Sequence, residues 1–340
     1  MQKRTNKFST YLLIVFAVIF VLSNMADASV RWKLSHHRPV DSTIDTDLKK
    51  FAAEVEENTE GRIKIEVFPA AQLGGSEIVM ERVGIGAIEM VLGYPTTTMD
   101  PHFDIYNVPA LAKNYDELEK LFSHGSPFMN IIHDTFAKLD MHPLMSYCVS
   151  FVGLGLKQPI EGMLDANVKH KEKIRTATLN SFRYPAEAIG YLATPIPMGD
   201  LFTALQTGIV DGSYGNGPEV VYLQFRDVIK SYIPIRAQSD IFFLVVNKDA
   251  FEDIDAKDQK IITDLASKFE KNRFKIAAQE ETSWLKRLAE KGTKIHELNE
   301  KQIASFHKAI QDYSWPKLKK DIGEKFFNDA IKARNEALKK

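Results

Sequence analysis

The chain of 340 residues has a single cysteine, Cys148, so no internal disulfide can brace it and stability must come from the core. In the apolar stretch LMSYCVSF that cysteine reads as a small core hydrophobe rather than a nucleophile. A charge excess is also missing: 44 Lys and Arg face 45 Asp and Glu. That balance excludes the basic footprint of a nucleic-acid binder and a strong field toward a membrane surface. Catalytic signatures are absent too. There is no H-E-x-x-H, no C-x-x-C and no G-x-S-x-G, since DGSYG has the wrong spacing, and the GLG of residues 153–155 is too short for a dinucleotide loop. His36 and His37 are adjacent, so a strand would send one into a cleft and the other outward; the pair does not make a metal site. No cofactor, metal or catalytic residue is expected.

What is present begins with Lys3, Arg4 and Lys7, an apolar run from Tyr11 to Leu22 and the small-residue pattern Ala26-Asp27-Ala28. A run of about 12 residues is short of the roughly 20 a membrane span needs. The pattern is that of a secretory signal peptide, residues 1–28, cut after Ala28. The mature chain is therefore expected in the periplasm of a Gram-negative bacterium.

After the cut the patterning alternates between periods of two and of three to four residues. VRWKLSHH reads as a strand, DSTIDTDLKKFAAEVEENTEGR as an amphipathic helix stopped by Gly61, IKIEVFP as a second strand, and SEIVMERVGIGAIEMVLGYP as a helix followed by a strand from Ile88 to Leu92. The middle repeats this grammar. HPLMSYCVSF, KIRTAT, IVDGSYG and IFFLVVN are strands, and SFRYPAEAIGYL and DLFTALQTG are helices. Such alternation implies an α/β fold with ligands at strand ends. From Asp255 to Lys291 there is neither Gly nor Pro, and a continuous helix there would run about 50 Å at 1.5 Å per residue, long enough to cross two lobes. The expected division is 29–152 with 241–280 as lobe I, and 153–240 with 281–340 as lobe II.

Four motifs in order, GRIKIEVFPAAQLGG, KIRTA, ATPIPMGDLFTALQTGIVDG and the signal peptide, resemble the solute-binding proteins of tripartite ATP-independent periplasmic (TRAP) transporters, the DctP type. The resemblance spans nearly the whole mature chain. It implies two α/β lobes joined by crossing strands and a long helix, closing around an organic acid. It also implies that Arg175, in the K-I-R motif, pairs with the ligand carboxylate; a planar guanidinium offers two parallel donors that match a carboxylate.

Other positions carried over from the family are His37 at the end of the first strand, Tyr94 after the third, and Ser213 and Tyr214 in the turn after Asp211. The family's E-N-P has become Tyr214-Gly215-Asn216 here, so Asn216 or Tyr214 is expected to replace its amide contact. Arg236 and Asp240 fall near the crossing strand, and Arg236 has two open readings, a second clamp or a surface residue. Where many relatives carry a second pocket arginine, this chain has Phe151. With Phe182, Tyr184, Tyr214 and Phe242 this suggests an aromatic wall and a ligand with one carboxylate.

The implied function is non-catalytic capture of an organic acid for delivery to a TRAP permease by a monomeric receptor. Its rivals are a binding protein that feeds a sensor, and a periplasmic enzyme using Asp211 and His37 as an acid/base pair.

Overall fold

The computed structural model describes residues 29–339; the expected signal peptide lies outside the described residues. The opening follows the sequence grammar. Strand β1 (Val30–Ser35) leads to helix α1 (Thr43–Asn58), whose start is capped by the Ser42 hydroxyl accepting the Asp45 N–H. Ile44, Leu48, Phe51 and Val55 recur at helical spacing and bury one face of α1. Helix α1 ends at Thr59, just before Gly61 at φ +78°. The chain then returns as β2 (Ile63–Phe68), parallel to β1, and continues through α2 (Ser76–Gly84) to β3 (Met90–Gly93), also parallel to β1.

Helices α3 (Tyr115–Phe122) and α4 (Pro127–Ala137) precede β4 (Met141–Phe151). After Val152 the chain enters the second lobe as β5 (Gly153–Leu156). That lobe adds β6 (Lys173–Thr176), α5 (Asn180–Ala188), β7 (Leu192–Pro195), α6 (Leu201–Thr207) and β8 (Gly212–Asn216). A short helical stretch (Pro218–Val220, then a π-turn Val221–Phe225) leads to β9 (Ser231–Ile233). Residues 234–238 cross back into β10 (Ser239–Asn247). The long helix α7 (Ala256–Glu290), β11 (Lys294–Ile295), α8 (Glu300–Ile322) and α9 (Glu324–Leu338) complete the chain.

Two sheets result. The first runs β2-β1-β3-β10-β4, with β10 antiparallel to both neighbours; the second runs β11-β9-β5-β8-β6-β7. The two crossing segments, at Val152 and at residues 234–238, join them. The long helix spans both lobes: Ile262, Ala266 and Phe269 pack in the first-lobe core with Phe51 and Leu144, while Leu285 and Leu288 pack in the second with Phe225 and Tyr232.

Helix α7 also completes an unfinished edge. Strand β4 is the last strand of its sheet, so the outward backbone groups of that edge have no strand partner. Side chains of α7 supply one. Glu270 accepts the Ser146 N–H at 2.8 Å, Arg273 donates to the Cys148 carbonyl at 3.0 and 3.2 Å, and Glu281 accepts the Phe151 N–H at 3.3 Å. These three side chains are almost wholly buried, and their bonds explain why charged groups sit on an inward helix face.

The C-terminal helix divides less simply than the sequence suggests. Residues 281–340 are expected with the second lobe, and Phe306 and Ile310 of α8 do pack there. Phe327, Ala330 and Ala337 of α9 instead share a core with Phe122, Phe128 and Phe136 of the first lobe.

Candidate functional site

A cavity of about 400 Å³ lies between the lobes at the ends of β1, β3, β6, β8 and β10. Its second-lobe wall carries Arg175. On β6 this residue pairs with Thr194 of β7 and Ser213 of β8, so the strand is held on both sides and the side chain has a fixed origin. Its Nε donates to the Ile196 carbonyl at 2.8 Å, which orients the guanidinium fork. The residue is 4% exposed. Among the described residues no carboxylate pairs with it. Burial pushes its pKa down to about 10, partly offset by Tyr94, so it remains a cation at neutral pH. An unpaired guanidinium at the wall of an interlobe cavity has the chemistry to donate to an anion.

The first-lobe wall is aromatic. His37, Tyr94 and Phe242 meet as a triad with ring centroids 5.4 to 5.6 Å apart. Burial, with the Arg38 charge, drives the His37 imidazole down to about 3, so it is neutral, with one ring nitrogen a donor and the other an acceptor. Asp240 also lines the cavity, its carboxylate accepting from Arg38 Nη2 at 3.0 Å. Across from them Gly215 sits at φ +101°, and a Cβ there would come within 2.7 Å of Phe182 Cδ1. Glycine lets β8 turn without pushing Phe182 into the cavity. Asn216 lines the cavity and its amide donates to Ser213 Oγ at 2.7 Å.

The cavity thus brings together Arg175, His37, Tyr94, Asn216 and Asp240 of the expected site residues, along with Phe182 and Phe242. Four others lie elsewhere. Phe151 packs edge-on to Tyr115 in the first-lobe core, 5.1 Å between centroids. Tyr214 is fully buried in the second-lobe core beside Leu154 and Ile233, because its register opposite Leu154 turns it away from the cleft. Ser213 is buried and holds Asn216 instead of lining the cavity. Arg236 sits on the crossing segment, ion-paired to Glu281 at 2.9 Å and 3.8 Å from Glu297. Of its two readings neither the second clamp nor a free surface residue describes it.

Three further expectations are corrected. His36 does not point outward; it is buried, with Nε2 3.2 Å from Asp45 Oδ1. Tyr184 is no cavity wall, its hydroxyl donating to Asp321 at 2.9 Å. Asp211 does not meet His37: its carboxylate accepts the Lys173 N–H at 2.9 Å, and it lines a separate depression with Lys157 and Glu172. The acid/base pair is therefore not assembled.

The residue missed from sequence is Arg38, which reaches the cavity with its guanidinium 5.2 Å above the Phe242 ring. Asn107 and Gln224 also line the cavity unforeseen. The signal for Arg38 was its place one step beyond His37 at a strand end, where ligands gather in α/β folds.

Comparison with known proteins agrees with this architecture. The model of the DctP family, bacterial extracellular solute-binding protein family 7, matches residues 34–320. The ectoine-binding periplasmic protein TeaA of Halomonas elongata is 24% identical over 287 residues, covering 82% of this chain and 82% of its own. A TRAP periplasmic solute-binding protein of Desulfovibrio salexigens with bound orotic acid superposes with a TM-score of 0.80 at 20% identity, covering 91% of this chain and 98% of its own. An extracytoplasmic solute receptor of Bordetella pertussis binding pyroglutamic acid gives 0.78 at 22% identity, over 90% and 100% of the two chains. At these identities the superpositions speak for the fold, and the family match covers the greater part of both lobes and the long helix. The chain belongs to family 7 of the bacterial extracellular solute-binding proteins, the DctP-type receptors of TRAP transporters.

Proposed function

We propose that this protein is a periplasmic receptor that captures an organic acid bearing one carboxylate on a ring-shaped body and hands it, unchanged, to a TRAP permease. The observation that carries this reading is the unpaired, buried Arg175 facing the aromatic triad of His37, Tyr94 and Phe242 across a cavity of about 400 Å³. The fork takes the carboxylate, and the rings take the apolar faces of the body. Arg38, the other arginine at the cavity, already has its charge balanced by Asp240. A second ligand carboxylate would thus meet no free cation, and burying it unpaired costs several kcal/mol. Ectoine, orotic acid and pyroglutamic acid, the ligands named for three relatives, each carry one carboxylate on a ring.

We further propose that lobe I (29–152 with 241–280) and lobe II (153–240 with 281–340) close over the acid by rotation about the crossing segments. The test is calorimetry with a library of organic acids. Arg175→Ala is expected to weaken binding of the best acid by about 2 to 5 kcal/mol, and Arg175→Lys to restore only part of the loss, since an ammonium cannot form the fork. Binding by Arg175→Ala within threefold of the parent overturns the assignment.

A further inference from the structure

We propose that Arg38 and Asp240 form a second recognition pole in the cleft, a donor beside an acceptor that reads the N–H and C=O of a cyclic amide in the ligand ring. The inference rests on the reading of the cleft given above and narrows its ligand class.

The geometry comes from two distant parts of the first lobe. Arg38 follows the end of β1 and Asp240 opens β10, and the two meet at 3.0 Å through Arg38 Nη2 and Asp240 Oδ2. Their side chains are 12% and 25% exposed, and both line the cavity. The pair has unused capacity. Arg38 Nε is buried with no partner, as is His37 Nδ1 beside it. Among the described residues Arg38 makes the only hydrogen bond to the Asp240 carboxylate, leaving Oδ1 for a ligand.

Charge decides what this pole can take. Arg38 and Asp240 neutralise one another, so neither a second carboxylate nor an ammonium finds a free counter-charge there. Glu77, the other carboxylate at the cavity, is exposed in the first turn of α2, where the helix end favours its charge. A neutral group with an acceptor next to a donor satisfies both partners at once. The amide oxygen accepts from the guanidinium, and the amide N–H donates to the carboxylate. Because Arg38 also lies over the Phe242 ring, the pole stands at the edge of the apolar wall, and a planar ring resting on Phe242 and Tyr94 would present its polar edge to it. Arg175 belongs to the opposite lobe, so one ring bearing a carboxylate and an amide would bridge the cleft.

The experiment pairs ring acids that carry a cyclic amide with carbocyclic acids of the same ring size. Pyroglutamate is compared with cyclopentanecarboxylate, and orotate with benzoate, by calorimetry on the full mature chain. At least one amide-bearing acid is expected to bind at least tenfold tighter than its partner. In Asp240→Asn, which keeps the shape, that preference should fall to threefold or less. In Asp240→Ala, Arg38 is set free and glutarate binding should rise at least tenfold. Thermal melting checks that each variant is folded. Carbocyclic acids binding within threefold of both amide-bearing ones, with Arg175→Ala abolishing all, would overturn the second pole and leave the Arg175 reading intact. Absence of binding by any of these acids would overturn the amide class, whereas binding untouched by Arg175→Ala would overturn the underlying reading.

Discussion

Arg236 Nε donates to Glu281 Oε1 at 2.9 Å, tying the second crossing segment to the long helix. The other oxygen of Glu281 accepts the Tyr115 hydroxyl and the Phe151 N–H beside the first crossing segment. One buried carboxylate thus holds both places where the chain passes between lobes. Arg236→Ala should lower stability by about 1–3 kcal/mol, the cost of leaving a buried acceptor short of its charged partner. A urea midpoint measures it. An unchanged midpoint with ligand affinity lost as fully as in Arg175→Ala would return Arg236 to the cleft.

The same residue holds φ at +54°, a left-handed conformation that a side chain disfavours. Arg236→Gly loses the ion pair just as alanine does but relaxes the backbone. It should therefore be more stable than Arg236→Ala by about 1 kcal/mol, and equal midpoints for the two would show that the turn is unstrained.

Gly215→Ala is expected to act on the cavity through Phe182. The new methyl would lie 2.7 Å from the ring at a backbone φ of +101°, so either the strand or the ring must move. Acid binding should weaken at least tenfold, and a Phe182→Leu background should recover part of it by making room, a coupling that a double-mutant cycle reads directly. Strict additivity of the two changes would mean that the ring does not give way.

Glu270 gives a pH signature. Burial raises its carboxyl from the ordinary 4.5 to about 7, despite the His124 and Ser146 N–H groups that favour the charged form. The folded state then holds more protons at Glu270 than the unfolded state between those two values, so the contribution of this group to stability is fully present below pH 4.5 and is lost as pH rises toward 7. The difference amounts to about 3 kcal/mol at most. Relative to Glu270→Gln, the parent should lose stability across pH 4.5 to 7; parallel curves would show that Glu270 is already ionised throughout.

Much of this architecture was legible in local pattern. Helix α1 and strands β1 and β2 carry their periods openly, and the Gly- and Pro-free stretch from Asp255 to Lys291 became α7 within one residue at each end. Arg175 lies on the cavity wall, where the resemblance carried by the K-I-R motif of β6 led one to expect it. What failed was whatever depends on register or on distant partners. Tyr214 and Phe151 are aromatic residues on strands, and only the pairing of their strands decides which face they take. Arg38 had a signal in its place beside His37, but its pairing could not be read, because its partner Asp240 lies on a strand whose position between β3 and β4 no local pattern reports. Arg236 was misplaced for the same reason: its companion Glu281 is an inward charge on a helix, and the helical period alone marks that position as polar.

The order of strands in the first sheet has a consequence for how the chain must be made. Strands β3 and β4 never touch; β10 lies between them and pairs with each. Until Ser239–Asn247 has emerged, both present raw edges, open to any other extended segment. Until α7 follows, the far side of β4 is bare as well. The first lobe therefore reaches completion after the second lobe's strands β5 to β9 have all been synthesised, a non-local assembly expected to be slow and prone to association if begun early. A chain cut anywhere before residue 247 should yield no half-receptor but an aggregate, and folding of the first lobe is best delayed until the whole chain has been synthesised.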